Sequence, residues 1–280
     1  MEPFRTRDLD ESIDFFLLNE NSVDFNCGTI QKPAKKIIFN LRSPDDVEKI
    51  FGARILFIAS ENFAEWASFL MEQRTIHLQS NIKVFISSSC DLTFLNEHFY
   101  IFHRYFPEAE FWIQNWCGDL PYVKSLPIGV LTYFPVSVNR TELFFISFVT
   151  LNSTERMKYK DFVYAYPAIQ KYMCDFLADE AYSKKMSSYY FTFCPQGNGY
   201  DSYRLWEALA HGTVPILLET PFTVSLLKQY PRLPLIILKE YIDLFRLIPN
   251  LSKELYESIM LNRDVSPMYK NYWISKYQFK

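Results

Sequence analysis

Glycine is scarce in this chain of 280 residues, which has only seven, at 28, 52, 118, 129, 197, 199 and 212. So few glycines are expected where the backbone needs positive φ or where something must approach it closely. The five cysteines, at 27, 90, 117, 174 and 194, are scattered without C-x-x-C spacing. That excludes a disulfide framework and a zinc knuckle, and predicts free buried thiols in a reducing compartment. No His and acid residues share a metal-ligand spacing, so no dedicated metal site is expected. Apolar runs are short: residues 143–151 are typical of the longest, well under the ~20 residues of a membrane span. The opening MEPFRTRDLDESIDFF carries charge throughout and has no apolar core of signal-peptide length. Basic runs are missing too, and the formal charge of −3 argues against a nucleic-acid-binding protein. No internal repeat or low-complexity segment is present.

Aromatic residues are abundant, with 26 Phe and 19 Tyr, so the core is expected to be aromatic, and surface Tyr and Trp would suit stacking on sugars and bases. The chain is long enough for two domains of ordinary size. Short apolar runs at 36–40, 54–58 and 82–86 read as strands, with helical patterns from 43 and over 63–71. Such alternation predicts a parallel sheet with helices on both faces. Residues 1–30 show no interpretable chemistry; Asp14 and Glu20 read as capping or solvated acids. Residues 131–141 are irregular and proline-interrupted, a linker. The apolar run 142–150 then reads as the first strand of a second domain.

The most informative stretch runs from Tyr189 to Ile216. It begins as an aromatic strand, breaks at Pro195-Gln196-Gly197-Asn198-Gly199, and resumes with Leu205, Ala208 and Leu209 at helical spacing. Gly212 closes that helix, and residues 214–218 form the next buried strand. A loop feeding a helix N-terminus offers free N–H groups and a dipole to an anion such as phosphate. Asp201 or Ser202 would cap the helix. Arg204, Glu207 and His211 follow at i, i+3 and i+7. A guanidinium suits a diphosphate and a carboxylate suits ribose hydroxyls, so the spacing fits a nucleotide. The same spacing also fits a plain turn followed by a solvated salt bridge.

The run PQGNGYDSYRLWEALAHGTVPIL resembles the C-terminal signature of exostosin-type glycosyltransferases. It matches at Pro195, Gly197, Gly199, Asp201, Arg204, Trp206, Glu207, Ala208, Leu209, Gly212, Pro215 and Ile216. Weaker likenesses are the strand-and-turn FWIQN at 111–115 with LPIG at 126–129, and the acid-then-PF stretch Glu219 to Phe222. The resemblance spans roughly residues 80–225 and is greatest with the compact soluble relatives encoded by large DNA viruses. It implies an α/β protein of the GT-B type, two Rossmann-like domains facing across a cleft. Residues 1–135 would bind the acceptor, 136–265 the nucleotide sugar, and a C-terminal helix at 266–280 would cross back to the first domain.

The reaction so implied is inverting, metal-independent transfer of a sugar, UDP-xylose as the leading donor, to a hydroxyl of a glycan, such as a viral capsid glycan. No cofactor is implied beyond the donor substrate. The partners would be a nucleotide sugar and an oligosaccharide or glycoprotein glycan, with no nucleic acid and no membrane span, in the cytoplasm (host cytosol for a viral protein). In that compartment the sequons at Asn139, Asn152 and Asn250 would carry no glycan. Donor contacts would come from Arg156, Pro195, Gly197, Asn198, Gly199, Asp201, Ser202, Arg204, Glu207 and Glu219. The general base would be Asp91, after three serines at a strand end, with Glu61 and Asp119 as the other candidates; for Asp91 a helix cap is the competing reading. Asn115 reads equally as a substrate contact or a buried loop residue, and Tyr172 and Tyr182 as base-stacking or core. A GDP-sugar fucosyltransferase-like enzyme, or a nucleotide-sugar-binding protein without turnover, remain the alternatives.

Overall fold

Why strands and helices alternate along the chain is visible in the computed structural model, which describes residues 3, 14–18, 37–39, 44–76, 80–87, 94, 96–130, 133–136, 138–147, 153–174, 177, 179–269, 271–273 and 275. Two units emerge: Arg5–Ile128 with Trp273–Lys280, and Gly129–Tyr272 with Met1–Phe4. Each is a mixed α/β assembly around its own parallel sheet, compatible with two Rossmann-like domains.

The first unit contains β1 (Phe15–Leu18), β2 (Ile37–Phe39), α1 (Pro44–Gly52), β3 (Ile55–Ile58), α2 (Phe63–Ile76), β4 (Val84–Ser87), α3 (Asn96–Tyr105), β5 (Glu110–Ile113) and β6 (Val123–Ser125). The strands run in the order β2-β1-β3-β4-β5-β6, and every pairing is parallel. β4 is buried along its whole length, as a short apolar run in a covered parallel sheet should be. Phe85 stacks on Phe111 at 5.3 Å, and Phe63 meets Phe99 edge-on at 5.0 Å. Strand order reverses between β1 and β3, which marks the ligand crevice of an open parallel sheet. β1 has no counterpart in the sequence reading. It is held in part by Asp14, whose carboxylate accepts from the N–H groups of Arg54 and Ile55 at 2.7 and 2.9 Å. Trp273, from the far end of the chain, packs edge-on against Trp112 at 4.7 Å.

In the second unit are β7 (Glu142–Ile146), α4 (Thr154–Ala165), α5 (Pro167–Gln170), α6 (Asp179–Ser188), β8 (Tyr189–Phe193), α7 (Tyr203–Ala210), β9 (Val214–Leu218), α8 (Pro221–Gln229), β10 (Ile236–Leu238), α9 (Leu244–Leu247) and α10 (Lys253–Leu261). Its four strands lie in the order β10-β9-β8-β7, all parallel, with no reversal. Phe191 is paired with both Phe144 and Val214, so β8 is central. Ser153, Ser202 and Thr220 cap α4, α7 and α8 in turns that follow β7, β8 and β9. These hydroxyls satisfy helix N–H groups at the carboxyl edge of the sheet, and so fix how each helix leaves its strand.

Candidate functional site

The strand, loop and helix expected over 189–218 is the structure observed. Ser202, not Asp201, is the N-cap of α7, accepting from the Arg204 N–H at 3.3 Å. Asp201 is buried, and its Oδ1 accepts from the Trp206 indole at 2.7 Å and the Ser202 N–H at 2.8 Å. That carboxylate therefore ties the loop to the helix it precedes.

Arg204 and Glu207 do not face outward as two separate ligand groups. Arg204 Nη1 lies 2.6 Å from Glu207 Oε2, and the Glu207 side chain is only 4% exposed. Nor is the pair the solvated bridge of the bland reading. The guanidinium sits 4.0 Å from the centre of the Tyr182 ring, contributed by α6. Burial alone would lower the Arg204 pKa, but Tyr182 and Glu207 together hold it above its ordinary value. Tyr182 is thus occupied by Arg204, and its phenol is pushed well up by burial. Tyr172 rests edge-on against Phe144 at 5.3 Å.

Arg156 reaches the same place from α4. Its Nε donates to the Gln196 carbonyl at 3.0 Å, and Ser153 Oγ donates to the Gly197 carbonyl at 3.1 Å. Two turns, after β7 and after β8, are thereby clasped together. Burial lowers the Arg156 pKa, and the nearby Arg204 charge lowers it further. Two guanidiniums thus converge here, that of Arg204 braced by Glu207. Among the described residues, none of the backbone N–H groups of Gln196, Gly197, Asn198, Gly199 and Tyr200 donates to a protein acceptor. These N–H groups lie on the same loop that Arg156 reaches through the Gln196 carbonyl, an arrangement that favours an oxyanion.

The glycines behave differently from one another. Positive φ occurs at Gly212 (69°) and Gly129 (79°) among the described glycines, and neither Gly197 nor Gly199 adopts it. A Cβ at Gly197 would meet nothing closer than Arg156 Nη2 at 3.6 Å, so the protein's own packing does not require glycine there. Pro195 is buried, Asn198 is exposed, and Glu219 is exposed at the end of β9. Beside the loop, Pro195, Tyr200 and Tyr241 help line a cavity of about 20 Å³, room for a water and not for a base ring. Cys194, at its floor, is fully buried with its thiol pushed up by desolvation, which makes it unreactive. Cys117 and Cys174 are half-buried thiols that donate to the Asn115 and Ile146 carbonyls, each at 3.4 Å.

The candidate bases lie in the first unit. Asp91 falls outside the described residues. Glu61 belongs to the short turn Ser60–Asn62 directly after β3, beside the reversal in strand order. Asp119 forms a two-way clasp with Asn96: Asn96 Nδ2 donates to its Oδ1 at 2.8 Å, and its own N–H donates to Asn96 Oδ1 at 3.1 Å. Asn115 is fully buried with φ of 51°, and its carbonyl accepts from the Phe94 N–H at 3.4 Å. It sits where the chain turns out of β5, as a loop-shaping residue would.

The sequence singles out Arg156 and Tyr182 but not the contacts through which they organise the site. Tyr182 beneath Arg204, and the clasp from Ser153 and Arg156 to the loop, are long-range contacts without a local pattern. Among the described residues no group of three or more His, Cys, Asp and Glu converges, and no helix is long and apolar enough to cross a membrane. Compared with known proteins, the chain matches no family model and no curated protein.

Proposed function

We propose that the protein is an inverting glycosyltransferase whose second unit binds the diphosphate of a nucleotide sugar at the loop 195–202. The observation that carries this reading is the clasp of two strand–helix turns that sets Arg156 and Arg204 beside a row of unengaged backbone N–H groups. Such a cradle stabilises the negative charge that builds on a diphosphate as its bond to the sugar breaks. Arg204 is oriented in advance by Tyr182 and Glu207, so little ordering is required when the ligand arrives. Glu207 then serves as the holder of that guanidinium, in place of the ribose contact suggested by its spacing.

On this reading the donor is a UDP sugar, UDP-xylose first among them, and the acceptor is a glycan hydroxyl. A carboxylate of the first unit takes the hydroxyl proton, the oxygen attacks the anomeric carbon, and the sugar–phosphate bond breaks with the electron pair leaving on the diphosphate. The two units would be arranged as in the GT-B fold. Support for this comes from the signature residues and from the placement of the loop at the carboxyl edge of a parallel sheet.

Titration calorimetry against UDP-xylose, UDP-galactose, UDP-glucuronic acid and GDP-fucose, followed by a donor-hydrolysis assay, tests the reading. Tight UDP-sugar binding with release of UDP is the expected result. Preference for GDP-fucose would point to the fucosyltransferase-like alternative, binding without turnover to a nucleotide-sugar-binding protein, and no binding to any donor would end the proposal.

A further inference from the structure

At the opposite edge of the second sheet lies a cavity of about 490 Å³, bordered by Arg140, Gly212, Tyr256, Met260, Leu261 and Arg263. Arg140 precedes β7 and Gly212 precedes β9, so the cavity opens at the amino ends of the strands. The loop 195–202 leaves the carboxyl end of β8, roughly 16 Å away at 3.3 Å per residue over five residues. One small ligand cannot occupy both places.

The cavity is positively charged without internal compensation. Arg140 Nη2 donates to the His211 carbonyl, a neutral acceptor, and its Nε has no partner among the described residues. Its guanidinium stands 5.4 Å from the centre of the Tyr256 ring. Arg263 Nη1 donates to the Met260 carbonyl at 3.1 Å. Neither arginine has an acidic partner among the described residues. Glu257, the one carboxylate among the lining residues, lies 3.6 Å from Lys253, which offsets it. Burial lowers the Arg140 pKa, and the Arg263 charge adds to that effect, so the two cations are close enough to repel. Gly212 leaves the room in which Arg140 lies: a Cβ there would stand 2.7 Å from Arg140 Nη2.

Two unneutralised guanidiniums at an open cavity call for an oxyanion. A phosphate monoester, with a charge of about −1.5 to −2 at neutral pH, answers both, whereas a carboxylate answers one. We propose that this cavity binds the phosphate of a phosphorylated small molecule between Arg140 and Arg263, with the apolar body of the ligand against Met260 and Leu261. The site is separate from the loop 195–202 and does not depend on the glycosyltransferase reading.

Calorimetry of the full chain with phenyl phosphate and with inorganic phosphate tests it. Phenyl phosphate should bind saturably, more tightly than inorganic phosphate. Arg263→Gln, at an exposed side chain that the fold does not need, should weaken it by about tenfold or more, and Arg263→Glu should abolish it. Gly197→Ala, in the distant loop, should leave it unchanged. The proposal is overturned by the absence of saturable binding at millimolar concentration, by an affinity that Arg263→Gln leaves within twofold, or by loss of binding in Gly197→Ala alone.

Discussion

Glu207 Oε2 and Arg204 Nη1 stand 2.6 Å apart, one helical turn from each other and beneath the loop that precedes them. Because Glu207 is almost wholly buried, the pair is an internal brace for the guanidinium and not two independent surface groups.

Removing one partner of such a brace leaves an uncompensated charge, which costs about 3 kcal/mol in a largely buried setting. Glu207→Ala is therefore expected to lower stability by roughly that amount. A double-mutant cycle with Arg204→Ala in urea unfolding should show a coupling of more than ~1 kcal/mol. Additive single-variant effects would mean that the two side chains do not depend on each other.

Gly197 gives a sharper test of ligand approach. Its φ is not positive, and a Cβ would make only ordinary contacts, with Arg156 Nη2 at 3.6 Å and the Gly199 carbonyl at 3.9 Å, so Gly197→Ala should change stability by no more than ~1 kcal/mol. If a diphosphate docks on the loop backbone, the added methyl intrudes on it, and UDP affinity should fall by about tenfold or more. Thermal melts and calorimetry on the same sample separate the two effects. Unchanged UDP affinity in a folded variant would remove the loop from donor binding.

Much of the second unit was legible because its signals are local. The aromatic run Tyr189–Phe193, the Pro/Gly break and the helical spacing of Leu205, Ala208 and Leu209 report on neighbours in sequence, and the strand, loop and helix follow. Gly212 was legible as a helix end, and its positive φ agrees. What spacing could not reveal was where Arg204 and Glu207 point. The i, i+3 relation is the same for a solvated pair, a ligand pair and a buried brace, and Tyr182, from another helix, decides among them. His211 illustrates the same limit. Seven residues after Arg204, it lies about 10 Å further along the axis, at the far edge of the sheet beside Arg140. β1 was illegible for a different reason: four apolar residues, Phe15–Leu18, sit in a charged context, and their strand exists through pairing with β2 and β3.

The acids of the first unit separate by what their loss should do. Asp91→Asn keeps shape but cannot accept a proton, so on the proposed mechanism turnover falls by ~10²-fold or more while UDP affinity holds. Asp119 is clasped to Asn96, and Asp119→Ala should register in the melting temperature more than in the rate. A parental rate for Asp91→Asn with a collapsed rate for Glu61→Gln would move the base to the turn after β3.

His211 should make the stability of the second unit depend on pH in a defined direction. The residue is buried, its ring stacks on Tyr133 at 5.0 Å, and its Nδ1 lies 3.1 Å from Ser187 Oγ. Burial first, and the Arg140 charge second, lower its pKa to about 4. The unfolded chain, with an ordinary imidazole near pH 6.5, takes up a proton before the folded one does. More protons bound in the unfolded state means that stability rises with pH, so the contribution is complete above about 6.5 and declines as pH falls toward about 4. Its ceiling is about 3 kcal/mol, from the fall from 6.5 to about 4 at 1.36 kcal/mol per pKa unit. His211→Gln keeps a polar group near Ser187 and cannot titrate. Urea unfolding of parent and variant at pH 7.5, 6 and 5 isolates the term, because the carboxylates common to both cancel in the difference. The parent should lose stability relative to the variant on acidification. Parallel curves across that range would show that His211 does not resist protonation in the folded state.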